Sequence, residues 1–211
     1  ANRYAAVLAE RGVRRGHVVG IMLRNSPDAV LVMLAVVKCG AVAGMLNHHH
    51  RSELLAHSIG LLDATVVVCE TDLIEPIVNS GADTPDLMSV QNLAHLTAGK
   101  PAANPASAGQ VQARDPAFYI FTSGTTGHPK ASVMTHLRWL RALAAFGGLG
   151  LRLRPEDTLY CCLPLYHNNA LTVAVSSVLN AGATLALGEK FSASKFWDDV
   201  IRYDATAFIY I

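Results

Sequence analysis

A chain of 211 residues can bury a substantial core, as one large domain or two small ones. Its apolar fraction of 51% lies only slightly above the globular norm. A net charge of +1 supplies no broad field for nucleic acid or an acidic membrane, so any anion site must be local.

The longest apolar run, residues 29–37, stops at Lys38, well short of the roughly 20 residues that span a bilayer, so no transmembrane helix is expected. The chain opens on Ala1-Asn2-Arg3-Tyr4 without a charged-then-apolar leader and closes at Tyr210-Ile211 within an apparent strand. It reads as a fragment. Cys39, Cys69, Cys161 and Cys162 lie in apolar surroundings without Cys-x-x-Cys spacing, which points to buried reduced thiols and a cytosolic setting. Adjacent Cys161 and Cys162 would face opposite sides of a strand, against both a mutual disulfide and a shared metal.

In chain order, residues 1–11 form a short amphipathic helix stopped by Gly12. A buried strand follows over 18–23. Asn25-Ser26-Pro27-Asp28 is a helix start: Ser26 can cap, Pro27 suits the first position and Asp28 complements the dipole. That helix runs to about Lys38 and Gly40, and its nearly all-round apolar surface places it between layers. Residues 41–46 are the next strand. Asn47-His48-His49-His50-Arg51 then invites a metal reading, but consecutive histidines point in different directions, whereas zinc ligands converge from one face. No metal site is assigned. Residues 52–60 predict a helix, 65–69 a β-branched strand and 72–79 another short helix. Residues 80–114, rich in Ala, Pro, Gly and Ser, read as an irregular surface connector with one short element near 93–96.

The densest chemistry follows. Residues 117–120 have strand character and run into Phe121-Thr122-Ser123-Gly124-Thr125-Thr126-Gly127-His128-Pro129-Lys130. Gly124 and Gly127 permit positive φ and close backbone approach, so that successive N–H groups converge on one anion. The hydroxyls of Thr122, Ser123, Thr125 and Thr126 are short donors, and Lys130 supplies compensating charge. Hydrogen bonds to charged groups contribute roughly 1.5–3 kcal/mol each, enough for four or five donors to hold a polyphosphate. The spacing is not that of the Gly-x-x-x-x-Gly-Lys-Ser/Thr loop that opens a helix. Pro129 precedes the lysine, and Ala131-Ser132-Val133-Met134-Thr135 alternates like a strand, so the loop joins two strands.

Residues 136–147 predict a helix ended by Gly147-Gly148, and 158–163 a strand broken by Pro164. A helix over 168–180, a strand over 183–187, a helix over 192–203 and a strand over 206–211 complete the chain. Strand and helix alternate throughout, which predicts an α/β fold of mostly parallel sheets covered by helices on both faces. His167 follows a strand end and a proline, where open α/β sheets place their ligands.

The stretch from Thr122 to Lys130 resembles the signature loop of the adenylate-forming (AMP-binding) superfamily, and Leu163-Pro164-Leu165-Tyr166-His167 is similar to its second motif. Lys190-Phe191-Ser192-Ala193-Ser194-Lys195-Phe196-Trp197-Asp198-Asp199 looks like the very-long-chain acyl-CoA synthetase and fatty acid transport protein branch. In that branch the turn after residue 46 usually reads Asn-x-Asn-x-Arg; Asn47 and Arg51 fit, and His49 departs from it.

The resemblance implies that residues 1–211 belong to the large N-terminal domain, with the small C-terminal domain absent. It implies ATP with magnesium as cofactor and coenzyme A as acyl acceptor. A fatty carboxylate attacks the α-phosphorus to give an acyl adenylate and pyrophosphate, and the acyl group then passes to the thiol. Thr122, Ser123, Gly124, Thr125, Thr126, Gly127 and Lys130 would hold the nucleotide, His167 would line the pocket, and no residue is assigned to metal. The later Tyr-Gly-x-Thr-Glu motif and the catalytic lysine are not in the chain, so the isolated fragment is expected to be inactive. The implied partners are small molecules only, in a cytoplasmic protein for which peripheral membrane contact stays open. Two other readings stand beside this one, an adenylating ligase for a non-fatty acid and a non-catalytic phosphate-binding module.

Overall fold

The computed structural model describes residues 1–83, 86–122 and 127–211. The chain divides into two compact units, the first comprising Ala1–Leu23 and Asp28–His136, the second Arg24–Pro27 and Leu137–Ile211.

The first unit is built on a six-stranded sheet in the order β4-β3-β1-β2-β5-β6. Its strands are β1 (Val18–Met22), β2 (Val42–Met45), β3 (Val66–Cys69), β4 (Asp86–Ser89), β5 (Pro116–Thr122) and β6 (Lys130–Thr135). All neighbours pair in parallel except β5 and β6, which are antiparallel. Around it run α1 (Asn2–Glu10), α2 (Pro27–Lys38), α3 (Ser52–Leu62), α4 (Ile74–Val78) and α5 (Val90–His95). The strand runs Val66–Cys69 and Val42–Met45 are buried at every position, as a sheet covered on both faces requires. Beyond Pro27, no residue of α2 is exposed, in keeping with its all-round apolar sequence.

One face of the sheet packs on α3 and α4 through Met22, Leu46, Leu55, Ile59, Leu62, Val67, Leu73 and Ile77. Gly20 and Gly44 pair in register on adjacent strands. A Cβ on Gly44 would stand 2.6 Å from a Leu62 methyl, and one on Gly20 would stand 2.8 Å from Val67 Cγ2. The bare position at Gly44 lets Leu62 of α3 settle close to the sheet, and that at Gly20 makes room for Val67 of β3.

The connector expected over 80–114 is corrected in part. Residues Asp86–Ser89 pair in parallel with β3 and extend the sheet, and Ser89 caps α5 by accepting the Asn92 N–H at 3.1 Å. Burial of Met88 and Leu93 fixes these elements; a short, polar-flanked stretch carries too little periodicity to announce itself.

The second unit holds a three-stranded parallel sheet, β8-β7-β9, from β7 (Thr158–Cys161), β8 (Thr184–Leu187) and β9 (Ala207–Phe208). Tyr160, Cys162 and Ala186 pack there against Phe196, Val200 and Ala205. The Tyr160 hydroxyl donates to Asp199 at 2.9 Å. Asp199 belongs to α8 (Phe196–Arg202), which is shorter than the helix expected over 192–203, as β9 is shorter than 206–211.

Two helical expectations change in kind. The helix that starts as α6 (His136–Ala142) does not stop at Gly147-Gly148 but widens into π-type turns over Leu143–Leu151. Gly147 is buried, and a Cβ on it would lie 3.0 Å from Ser177 Cα, so this glycine serves close helix packing and not termination. Arg152, at φ 51°, ends the segment. Likewise the helix expected over 168–180 divides into wide turns at Ala170–Val175 and α7 (Ser176–Ala181). No helix among the described residues is long and apolar enough to cross a membrane.

Candidate functional site

β2 and β5 are adjacent and parallel, with Met45 opposite Ile120, so their C-terminal ends release two turns at one edge of the first unit. The C-terminal edge of a parallel sheet is where open α/β proteins gather ligand-binding loops.

From β2 comes residues 47–51. The Asn47 side-chain oxygen accepts the His49 N–H at 2.9 Å, and Arg51 Nη1 donates to the carbonyls of His48 and His50 at 2.6 and 2.7 Å. Asn47 and Arg51 thus close this turn through its backbone. Burial and the neighbouring His49 hold the His50 imidazole below the ordinary histidine range.

From β5 comes the Gly-rich loop. Thr122 is paired with Lys130 in antiparallel register, so the loop does join two strands as its alternating flanks imply. Ser123, Gly124, Thr125 and Thr126 lie outside the described residues. Gly127 adopts φ +87°, the left-handed region that a Cβ disfavours, and nothing stands within 4 Å of the place a Cβ would take. The positive φ expected at Gly127 is present, with open space beside it. Thr122 and Lys130 are exposed at the two stems, with Thr122 Oγ1 3.5 Å from the Lys130 carbonyl oxygen. Pro129 is buried. A positive φ at Gly127 and an exposed lysine are features that an anion-binding turn would need.

α3 touches this loop. His57 Nε2 lies 3.1 Å from the Pro129 carbonyl oxygen, the rings of His57 and His128 are 4.8 Å apart, and a Glu53 oxygen stands 4.0 Å from His128 Nε2. Sequence reasoning passed over His57. The signal was thin: a lone histidine on an amphipathic helix is ordinarily a satisfied surface or core residue.

His136 closes β6. Its backbone N–H donates to the Asp115 carbonyl at 3.0 Å, and burial outweighs the nearby Asp115 charge to hold its imidazole below the usual range.

His167 belongs to the second unit. It is exposed, its N–H donates to the Pro164 carbonyl at 3.0 Å, and its ring lies 4.5 Å from that of buried Tyr166. The preceding segment is held by Asn25, whose side chain accepts the Leu165 N–H and donates to the carbonyls of Leu163 and Gly188 at 2.9–3.0 Å. In the sequence Asn25 reads only as part of a helix start. Its partners lie far along the chain, and nothing local announces them.

Fold and loop together define a class of proteins that present a hydroxyl- and glycine-rich turn, ended by lysine, at the carboxyl edge of a parallel sheet. The family model for the AMP-binding enzyme matches residues 1–211, and the chain belongs to that family. It is 68% identical over its whole length to the medium/long-chain-fatty-acid–CoA ligase FadD6 of Mycobacterium tuberculosis, covering 36% of that protein. It is 34% identical to the human long-chain fatty acid transport protein 1, again over its whole length and 35% of that protein. The chain spans about a third of the length of these curated relatives. Among solved structures, the N-terminal domain of FACL13 from M. tuberculosis superposes with a TM-score of 0.88 at 27% identity, over 98% of this chain and 52% of that one. ATP-bound MatB from Rhodopseudomonas palustris gives 0.80 at 28% identity, over 98% and 41%.

Proposed function

We propose that residues 1–211 are part of the large nucleotide-binding N-terminal domain of an enzyme that activates a medium- or long-chain fatty acid with ATP and transfers it to coenzyme A. The observation that carries this reading is the 68% identity, over every residue of the chain, to a protein named as a medium/long-chain-fatty-acid–CoA ligase. The exposed Lys130 and the open, positive-φ Gly127 fit the requirement for charge and close backbone approach at phosphate oxygens.

In this reading Thr122, Ser123, Gly124, Thr125, Thr126, Gly127 and Lys130 gather the β- and γ-phosphates. The charge that collects on departing pyrophosphate is met by fixed N–H groups and the ammonium, which favours in-line displacement by the fatty carboxylate. Magnesium would accompany the nucleotide, with no residue of this chain assigned as its ligand. His167 would line the pocket near the acyl carboxylate. The protein works in the cytoplasm, and any membrane contact is peripheral.

The test is fatty-acid-dependent exchange of labelled pyrophosphate into ATP by the full-length protein, run with a panel of fatty, aryl and amino acids. Exchange restricted to fatty acids, and lost in Lys130→Ala, is the expected result. Exchange only with another acid class transfers the assignment to that class, and no exchange with any acid removes it.

A further inference from the structure

α3 meets the Gly-rich loop on one helical face. Glu53 and His57 are separated by one turn and so stand side by side toward the limb that leads into Lys130. The two contacts differ in character. Glu53 and His128 are 4.0 Å apart with 86% and 46% of their side chains exposed, a separation and setting at which an ion pair adds little. His57 is half-buried, and its Nε2 meets the carbonyl of buried Pro129 at 3.1 Å. A carbonyl oxygen can only accept, so the proton of this contact sits on Nε2.

The Pro129 carbonyl belongs to the peptide unit that includes the Lys130 nitrogen. Because that unit is planar, anchoring its oxygen fixes the direction in which Lys130 enters β6. Pro129 adds a fixed φ of its own. Gly127, two residues earlier, is a different case, a glycine at φ +87° with no contact within 4 Å of where a Cβ would stand. The limb therefore passes from a positive-φ glycine to a pinned peptide within three residues, and the pin comes from outside the loop.

We propose that His57 is a positioning residue for this loop: by holding the Pro129 carbonyl it sets the Lys130 stem in place before an anionic ligand arrives. The inference rests on reading the loop as the polyphosphate site of ATP. His57 touches no ligand in this scheme; it acts through Pro129 and Lys130. An ordered stem lowers the ordering cost of binding, so its loss appears in nucleotide affinity ahead of turnover.

The experiment uses full-length protein with palmitate, and measures KM for ATP, KM for palmitate, kcat and the melting temperature for wild type, His57→Leu and His57→Gln. Loss of one neutral hydrogen bond predicts an ATP KM raised about fivefold in His57→Leu. The palmitate KM and melting temperature are expected to hold, and His57→Gln, which carries an N–H donor at similar reach, to recover most of the loss. An unchanged ATP KM in His57→Leu overturns the proposal while leaving the nucleotide reading intact. Parallel rises in both KM values, or a loss that tracks melting temperature and is not recovered by glutamine, overturn it in favour of a structural role. A wild-type protein that turns over ATP with none of the acids in the panel above removes both readings together.

Discussion

Asn25 and Leu165, 140 residues apart in the chain, are joined by a 2.9 Å hydrogen bond from the Leu165 N–H to the Asn25 side-chain oxygen. The same amide donates to Leu163 and Gly188, so one side chain ties the Pro164 turn to the end of β8. Asn25→Ala would strip the Leu165 N–H and the Gly188 carbonyl of this partner and leave the Leu163 carbonyl to the Cys161 thiol at 3.7 Å. A loss of about 1–3 kcal/mol is expected from urea unfolding. Asn25→Asp should be at least as damaging, because it sets an oxygen against two carbonyls. Wild-type stability in either variant would show that water replaces the amide.

Gly44→Ala tests the contact between sheet and α3. Its new methyl would meet both Leu62 methyls at 2.6 and 2.7 Å, which predicts about 1–3 kcal/mol of destabilisation from overpacking. Leu62→Val in the same chain should relieve part of that loss. A strictly additive double mutant would mean that the crowding lies elsewhere.

Stability should fall on mild acidification, in part through His136. Burial lowers its pKa in the folded chain, so the unfolded chain takes up the proton more readily. The contribution is complete above the ordinary histidine pKa of about 6.5 and is lost as pH falls through it toward the lowered folded value. Urea midpoints recorded from pH 8 to pH 5 should show a steeper decline in wild type than in His136→Asn. His50 and His167 are shifted in the same direction, so the difference between the two curves isolates His136.

The four cysteines are free and buried, and burial pushes Cys39, Cys69 and Cys161 up to about 11. Few thiolates exist at neutral pH under those conditions. Alkylation mapped by mass spectrometry should label these positions slowly in the native protein and fully in urea. Fast native labelling of Cys161 would mean that β7 opens readily.

Much of this fold is legible in local chemistry. The β-branched run at Val66–Cys69, the Pro27 start of α2 and the strand–loop–strand passage from Thr122 to Lys130 follow from side chains acting on their own backbone, which needs no knowledge of the rest of the chain. The sequence from Thr122 to Lys130 is distinctive for the same reason, since glycines, hydroxyls and a lysine each carry their own local chemistry.

Tertiary structure decided the rest. Asp86–Ser89 is a strand because β3 offers it an edge, and residues 143–151 widen into π-type turns where Gly147 admits the backbone of α7. Asn25 finds Leu165, and His57 finds Pro129, only after the chain has folded back on itself. A hydrogen bond between residues distant in sequence depends on where the whole chain returns, and no local propensity encodes that return.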